Sequence, residues 1–208
     1  MMSMSDGGYD DGYTACDCFW GNEPGSYVRK MVEVFGNISG LRILDIGCGE
    51  GKNAAFLAEK GAEVTAIDIS SLAIERAKRI HTALNVEWVC ADATTLAPPA
   101  QYFDVVVAYG LFHCLHSGLE IASLHHKLFN ATKLGGRHVV CCFNDRSHDL
   151  SAHPNFDPCL LPHGFYAGLY GRGWTLENVS DQDLFETHPH NGIPHHHSLT
   201  RILARKES

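Results

Sequence analysis

The stretch LRILDIGCGEGKNAAFLAEKG, residues 41–61, decides the fold. Its first six residues carry an apolar run that predicts a buried parallel β-strand, and Gly47, Gly49 and Gly51 follow at once. From residue 53 to residue 60 the apolar positions return to helical spacing. A strand, a glycine turn and a helix N-terminus let a ligand approach the main chain closely, so we expect the ligand site here.

Predicted strands and helices alternate over the middle of the chain. We expect strands at residues 41–46, 63–67, 86–90, 103–108 and 138–143, and helices at 24–35, 51–60, 71–84 and 119–132. Because βαβ alternation builds a parallel sheet with helices on both faces, the fold class is α/β and Rossmann-like. Its ligand is expected at the carboxyl ends of the strands, where the strand order reverses.

The two ends of the chain differ from this pattern. Residues 1–20 are predicted to be a flexible N-terminal segment, with no periodicity up to about residue 11, and residues 21–206 to form one domain. Residues 144–162 are predicted to form a long loop, and residues 162–170 a short helix. Residues 174–185 and 197–204 are rich in β-formers and flank a His/Pro/Gly turn, which predicts an antiparallel hairpin at the edge of the sheet.

Composition narrows the class of partner. The chain has 208 residues, a formal net charge of −8 and no dense basic patch, so we expect a small-molecule partner and neither nucleic acid nor a membrane. The first residues carry no cationic and apolar leader, which favours a cytoplasmic protein, as a monomer or a homodimer. Most of the eight cysteines lie in or beside core strands, so reduced thiols are expected.

Three carboxylates suggest which ligand the glycine turn binds: Asp45 near the end of the first predicted strand, and Asp68 and Asp92 after the next two. Asp68 suits a ribose diol, Asp92 the exocyclic amine of an adenine, and Asp45 either a cationic group or the backbone of the turn itself. The glycine spacing departs from G-x-G-x-x-G, and Glu50 would place negative charge beside a pyrophosphate. A nucleoside with a cationic amino-acid arm and no phosphate is S-adenosylmethionine. For Asp68 and Asp92 a helix N-cap is the competing interpretation.

The stretches LDIGCGEGKNAAFLAEKG, VTAIDIS, VCADATTL and YFDVVVAYGLFHCL resemble motifs I to IV of the class I S-adenosylmethionine-dependent methyltransferases, and the resemblance extends over residues 24–206. It implies a mostly parallel seven-stranded sheet with an antiparallel C-terminal hairpin, S-adenosylmethionine as cofactor and S-adenosylhomocysteine as product. The cofactor-binding residues that we assign are Asp45, Gly47, Cys48, Gly49, Asn53, Asp68, Ile69, Asp92, Ala93 and Tyr109, with Tyr27 and Arg29 closing over the donor.

A narrower resemblance is to the tellurite-resistance methyltransferases of the TehB type. It rests on EPGSYVRKM, LLPHGFYAGLYGRGW and HSLTRILARK, and implies methylation of soft chalcogen or metalloid species such as tellurite, or of thiols. That family's proposed catalytic His-Arg pair follows the penultimate strand. The corresponding stretch DLFETHPH offers Phe185, Glu186 and then His188, so the catalytic pair is not matched. A thiol or a chalcogen or metalloid anion such as tellurite is the expected acceptor, and it rests on the resemblance alone.

The acceptor side of the site is expected to draw on several histidines. We assign His113 and His188 as catalytic candidates, and Trp20, His113, His195 and His197 as substrate-binding candidates. A locally hydrogen-bonded, packed histidine is the competing interpretation for His113. The tract around His195 lacks C-x-x-C or H-x-x-x-H spacing and puts only His195 and His197 on one strand face, so we assign no metal ligands, with a solvated hairpin as the simpler interpretation.

Other functions stay open at this stage. Cys16, Cys18 and Cys159 could hold arsenite as a trithiolate, although C-x-C near a terminus is of low specificity. A nicotinamide-dependent oxidoreductase would also place glycines between a strand and a helix. A non-catalytic protein could keep the cofactor fold and bind metal through its histidine-rich hairpin.

Overall fold

The fold is taken from a computed structural model, which describes residues 9–15, 19, 21–152, 156–187 and 192–207. The helices are α1 (Tyr9–Ala15), α2 (Ser26–Phe35), α3 (Lys52–Glu59), α4 (Ser71–Ile80), α5 (Gly118–Ala131) and α6 (His163–Leu169). The strands are β1 (Arg42–Ile46), β2 (Glu63–Asp68), β3 (Val86–Cys90), β4 (Phe103–Tyr109), β5 (Thr132–His148), β6 (Trp174–Thr187) and β7 (Pro194–Lys206). Short 3₁₀ turns occur at Ala93–Thr95 and Phe112–Cys114.

The strands form one seven-stranded sheet in the order β3-β2-β1-β4-β5-β7-β6. Strands β1 to β5 pair in parallel, and β7 pairs antiparallel with both β5 and β6. The predicted α/β architecture with an antiparallel C-terminal hairpin is therefore confirmed. The strand order reverses between β1 and β4, so their carboxyl ends diverge and open a crevice there.

The sheet is covered on both faces because alternate strand residues point in opposite directions. Val105 and Val107 of β4 pack with Met31 of α2 in one cluster of buried residues. Val106 and Ala108 pack with Leu124 of α5 in the cluster on the other face. Burial on both faces fixes the register of the central strands, which in turn fixes where their carboxyl ends lie.

Several element boundaries differ from the sequence prediction. Helix α4 ends at Ile80, four residues before the predicted end, with its C-cap at His81. Strand β5 continues to His148, into the segment predicted as a loop, because its register with β7 extends as far as the His148–His197 pair. The antiparallel pairing satisfies backbone groups that a loop would leave to solvent.

The described part of the N-terminal segment, residues 9–15 and 19, packs against the domain. Residues Tyr9–Ala15 form α1, and Tyr13 packs with Phe19 and with Ala73 of α4 in a small buried cluster. The ring centroids of Tyr13 and Phe19 are 6.2 Å apart in an edge-to-face arrangement. Burial of these rings attaches the described residues 9–15 and 19 to the domain. In the part of the chain that the structure describes, no helix is long and apolar enough to cross a membrane.

Candidate cofactor and acceptor site

A cavity opens at the carboxyl ends of the parallel strands, where the sequence places the ligand. The predicted residues that line it are Gly47, Cys48, Gly49, Asn53, Asp68, Ile69, Asp92, Ala93, Tyr109 and His113. Asp45, Tyr27 and Arg29 are not among the residues of its wall. Trp20 and His188 lie outside the described residues.

The glycine turn that forms the floor of the cavity needs glycine for two reasons. Gly47, Gly49 and Gly51 have φ angles of 72°, 54° and 86°, a region that residues with a side chain rarely adopt. A Cβ atom at Gly51 would also lie 2.3 Å from the Cη2 atom of Trp88. The turn is therefore held against β3 more closely than any other residue allows.

The backbone donors of the glycine turn are bonded within the protein. Gly47 and Cys48 donate to the Ile67 carbonyl at 2.8 and 3.0 Å, and Gly49 donates to Asp68 Oδ2 at 2.7 Å. The N–H of Gly51 donates to the Cys48 carbonyl at 3.0 Å. A pyrophosphate site uses N–H groups of this kind to cradle anionic oxygens. Here the turn offers few of them, which disfavours a dinucleotide.

Asp68 links the end of β2 to the glycine turn and faces the cavity. Its Oδ2 accepts from Gly49, and its Oδ1 accepts from the backbone N–H of Ser70 at 2.9 Å. The N-cap of α4 is Ser70, which accepts from Ala73, so Asp68 is not needed in that role. A carboxylate has about four acceptor positions, so two backbone bonds leave room for two hydroxyl donors. Burial raises the pKa of Asp68, and the two backbone donors oppose that shift.

Asp92 combines a local structural role with a position in the cavity wall. Its Oδ1 accepts from the backbone N–H and from the hydroxyl of Thr94, both at 2.8 Å, and so caps the 3₁₀ turn Ala93–Thr95. The cap proposed as the competing interpretation is therefore present. Because Asp92 also lines the cavity, the cap holds its carboxyl group beside the ligand space.

Asp45 is buried beneath the turn, with 1% of its surface exposed. Neither of its carboxylate oxygens makes a hydrogen bond of normal geometry. Burial raises the pKa of Asp45 to about 7, the negative charge of Asp68 adds to the shift, and the backbone of Ala54 opposes it. An uncompensated buried carboxyl group of this kind is stabilised by a nearby cation.

The sequence suggested that Glu50 would place negative charge beside a pyrophosphate, but in the structure Glu50 pairs with a cation. Its Oε1 lies 3.2 Å from Nη1 of Arg76, and both side chains are largely buried. Arg76 therefore offsets the charge that was expected to repel a pyrophosphate. The case against a dinucleotide rests on the bonded N–H groups of the turn instead.

Tyr27 and Arg29 were expected to close over the donor, but both side chains have partners elsewhere. The Tyr27 hydroxyl donates to Asn178 of β6, and Arg29 forms a surface ion pair of 2.9 Å with Glu23. What holds α2 near the cavity is Asn53, whose Oδ1 accepts from the backbone N–H of Gly25 at 2.8 Å. Neither side chain lines the cavity in this structure, so contact of Tyr27 and Arg29 with the cofactor stays a prediction.

His113 lines the cavity and is bonded at both ring nitrogens. Its Nδ1 accepts from the backbone N–H of Phe143 at 3.1 Å, so the neutral ring carries its proton on Nε2, which faces the Tyr9 hydroxyl at 3.3 Å. The ring also stacks on Phe143, with centroids 4.2 Å apart. This arrangement fits the packed histidine of the competing interpretation, because the lone pair that a general base needs is already occupied.

Charged residues of the cavity wall that the sequence analysis did not assign to the site include Lys52, Glu120, Glu186 and Arg201. Arg201 pairs in register with Cys141 and with Ser180, so β7 directs it to the end of the cavity away from Asp92. The Nε atom of Arg201 is buried and makes no hydrogen bond. The alternation of polar and apolar residues in HSLTRILARK could have indicated which face of the sheet Arg201 points to. It could not indicate which end of the sheet Arg201 reaches.

The hairpin histidines lie on two faces of β7, as their spacing predicts. His195 and His197 are buried beside Glu186, whereas His196 lies on the opposite face and its Nε2 bonds the Ser147 hydroxyl at 3.0 Å. His195 and His197 do not line the donor cavity itself, although Glu186 does.

The described cysteines that line the cavity are not those considered as an arsenite site from the sequence. The six described cysteines are free thiols, and Cys48, Cys114, Cys141 and Cys142 line the cavity. Burial raises the pKa of Cys141 and Cys142, so these thiols stay protonated. Cys159 is outside the cavity wall, and residues 16 and 18 lie outside the described part of the chain.

Comparison with known proteins finds a methyltransferase domain in part of the chain. Residues 43–136 match the model of a methyltransferase domain. The demethylmenaquinone methyltransferase of Renibacterium salmoninarum is 29% identical over 131 residues, which cover 62% of this chain and 49% of that protein. The protein of the same name from Clavibacter sepedonicus is 37% identical over 111 residues, which cover 51% of this chain and 43% of that protein. This chain thus spans about half the length of these relatives or less.

The structural comparison extends the match beyond that domain. TehB from Haemophilus influenzae superposes with a TM-score of 0.72 at 20% identity, over 88% of this chain and 62% of that one. At this identity the likeness shows a common fold. Methyltransferases of this fold use S-adenosylmethionine as methyl donor. The matched domain, the sheet order and the structural neighbours agree with the resemblance to the class I S-adenosylmethionine-dependent methyltransferases.

Proposed function

We propose that this chain transfers the methyl group of S-adenosylmethionine to a small acceptor that carries negative charge, either a thiolate or a chalcogen or metalloid oxyanion such as tellurite. One observation carries the proposal: a single cavity has the Asp68 carboxylate bonded to the glycine turn at one end and the cations Lys52 and Arg201 in its wall. The end of the cavity with Asp68 and the glycine turn suits a phosphate-free nucleoside. The wall with Lys52 and Arg201 suits an anion.

The donor end is supported by the chemistry of three carboxylates. Asp68 has acceptor positions for the two ribose hydroxyls, and Asp92 is held beside the space that the adenine amine would occupy. Asp45 lies beneath the turn without a hydrogen-bond partner, where the cationic amino-acid arm of the donor would offset its charge. Gly47, Cys48 and Gly49 bring the main chain close to the ligand.

The acceptor end is supported by its positive charge. Lys52 and Arg201 both line the cavity, and their charges lower the pKa of Glu186 against the larger effect of burial. Against the opposing effect of burial, interactions with Cys141 and Tyr109 raise the pKa of Arg201, so this side chain of the wall stays charged and can attract an anion. The rings of Tyr9 and Tyr109 are also part of the wall, and aromatic faces stabilise a sulfonium cation.

The transfer itself is an in-line displacement. The bond between the donor sulfur and its methyl group breaks as the nucleophile bonds the methyl carbon, and the electron pair stays on sulfur to give S-adenosylhomocysteine. The protein mainly has to hold donor and acceptor in register and exclude water. An anionic nucleophile needs no general base, which agrees with a site in which both nitrogens of His113 are already engaged.

The test is a transfer assay with donor labelled in its methyl group. The acceptor panel contains tellurite, selenite, arsenite, halides and small thiols, with neutral phenols and a quinol of the kind named for the relatives as comparison. We expect label in one or more anionic acceptors. Transfer to neutral acceptors alone would contradict the choice of acceptor, and transfer to none would contradict the proposed activity.

A pair of variants tests the role of Arg201. We expect Arg201→Gln to raise KM for the anionic acceptor at least tenfold while the Kd for S-adenosylmethionine stays the same. Arg205→Gln is the matched control, because Arg205 lies on the same strand but pairs with Glu177 and Glu207 away from the cavity. A weaker Kd for the donor in Arg201→Gln would assign this side chain to the donor carboxylate instead.

A further inference from the structure

Three ligand atoms converge beside the donor cavity, in the hairpin formed by β6 and β7. Glu186 of β6 is the cross-strand partner of His195, and His197 follows two residues later on the same face of β7. His195 is 4% exposed and His197 is fully buried. One ligand atom from each of the three residues lies within 4.8 Å of the other two.

The hydrogen bond of His195 orients its ring for coordination. Its Nδ1 lies 2.8 Å from the carbonyl oxygen of Ile193, which can only accept, so Nδ1 carries a proton. In the neutral ring the lone pair is then on Nε2, the atom that faces Glu186 Oε1 at 3.6 Å. Histidine ligands of metals commonly donate their second ring N–H to a backbone carbonyl in this way.

A second histidine sets the tautomer of His197. His148 Nε2 bonds the carbonyl oxygen of Asn144 and therefore carries its proton there, which makes Nδ1 of His148 an acceptor. The Nδ1 of His197 lies 3.3 Å from that atom and donates to it. The lone pair of His197 is thus on Nε2, 3.7 Å from Glu186 Oε1, while Phe143 stacks on the ring with centroids 4.2 Å apart.

The spacing of these atoms fits one ion between them. Both nitrogen–oxygen distances are longer than a direct hydrogen bond. Two ligands bound at about 2.0–2.1 Å with tetrahedral geometry lie about 3.3 Å apart, a few tenths of an ångström less than the distances found here. Two imidazole lone pairs and a carboxylate are a ligand set that suits zinc and related ions.

We propose that Glu186, His195 and His197 bind one divalent transition-metal ion of the zinc type. Three protein ligands leave a fourth position for water or a substrate atom, as in catalytic zinc sites. Because Glu186 also lines the donor cavity, the ion borders the acceptor end of that cavity. The hairpin then supplies a metal site that the linear spacing of its histidines does not indicate.

The proposal is tested by metal titration of the full chain after removal of metal with a chelator. We expect one equivalent of Zn²⁺ to bind in calorimetry, and one equivalent of Co²⁺ to give the intense visible absorption of a four-coordinate ion. Glu186→Gln and His195→Ala should each weaken the affinity at least tenfold. Glu186→Gln is nearly isosteric and only partly buried, so it keeps the test valid if a histidine variant does not fold.

Two controls separate this site from other histidines. His196→Ala removes the intervening histidine on the opposite face of β7, and the double variant His188→Ala/His190→Ala removes the two histidines between the strands. Both should bind zinc as the unmodified chain does. Unchanged affinity in Glu186→Gln, loss of binding in the double variant, or no binding at all would overturn the proposal. Binding of S-adenosylmethionine to the chelator-treated protein reports separately on the proposed methyl transfer.

Discussion

The Asp68 carboxylate accepts a hydrogen bond of 2.7 Å from the backbone N–H of Gly49 and so joins the end of β2 to the turn that follows β1. The two strands are neighbours in the sheet, with Asp45 opposite Ala66 in their parallel register. The bond occupies the Gly49 N–H, which a phosphate would otherwise use. It also directs the Asp68 carboxylate into the cavity. The choice between a phosphate-bearing and a phosphate-free ligand is thus made by one contact.

Asp68→Ala should weaken the binding of S-adenosylmethionine. The substitution leaves two ribose hydroxyls without their acceptor, a loss of about 1.5–3 kcal/mol, or roughly 10- to 150-fold in Kd. Asp104→Ala is the control, since Asp104 bonds Lys133 and the backbone of Arg42 away from the cavity. Calorimetric titration of both variants checks this, and an unchanged Kd in Asp68→Ala would refute the assignment of the ribose.

Asp45→Asn should change how stability depends on pH. The folded chain holds the pKa of Asp45 at about 7, whereas an unfolded Asp titrates near 3.9, so the unmodified chain loses stability as pH rises from about 4 to 7. Asparagine does not titrate. The free energy of unfolding of the variant relative to the unmodified chain should therefore rise over this range, by roughly 2–4 kcal/mol.

Urea denaturation at pH 5 and pH 8 measures this difference. A difference between the two proteins that stays constant with pH would contradict the raised pKa. The same variant should bind S-adenosylmethionine less tightly at pH 8, because the amide cannot offset the cationic arm of the donor.

His125→Phe should make the fold less sensitive to acid. Burial lowers the pKa of His125 to about 4, so as pH falls below 6.5 the unfolded chain takes up a proton that the folded chain does not, and stability is lost. Phenylalanine removes this effect and can keep the edge contact with Tyr170, whose ring centroid is 4.7 Å away.

The measurement for His125 is again urea denaturation, from pH 7 to pH 4.5. The stability of His125→Phe relative to the unmodified chain should increase by a few kcal/mol as pH falls. His126→Gln is the matched control, because His126 is the next residue and is exposed. An equal effect of the two substitutions on the pH profile would rule out burial as the cause.

Gly51→Ala should destabilise the fold more than Gly36→Ala. Both glycines have positive φ, of 86° and 75°, so both substitutions carry a backbone cost of about 1–2 kcal/mol. A Cβ at Gly51 also overlaps Trp88, whereas at Gly36 nothing lies within 4 Å. Overpacking adds about 1–3 kcal/mol, and chemical denaturation of the two variants should show that difference. Equal destabilisation would mean that the Trp88 ring moves away without cost.

The parallel half of the fold could be predicted from sequence because local pattern and global topology agree there. The apolar run of β1, the glycine turn and the amphipathic α3 each specify their own structure, and βαβ connectivity then leaves few arrangements. Strand β3 was predicted with the observed bounds, Val86–Cys90. Asp68 and Asp92 could be placed because each follows a strand whose end is fixed in this way.

The acceptor end could not be predicted because it depends on contacts across the hairpin. Arg201 and Glu186 reach the cavity through the register of β7 with β5 and β6, which no local pattern specifies. Tyr27 and Arg29 were predicted beside the donor, whereas their partners in this structure are Asn178 and Glu23. His113 stacks against Phe143, a residue thirty positions further along the chain.

Calorimetric titration of the chelator-treated full chain with S-adenosylhomocysteine, and in parallel with NADH, tests the central claim most directly. Because the N–H groups of the glycine turn are bonded internally and Asp68 faces the cavity, the account predicts one equivalent of S-adenosylhomocysteine bound, binding weakened by Asp68→Ala, and no binding of NADH. Binding of NADH without binding of S-adenosylhomocysteine would contradict it.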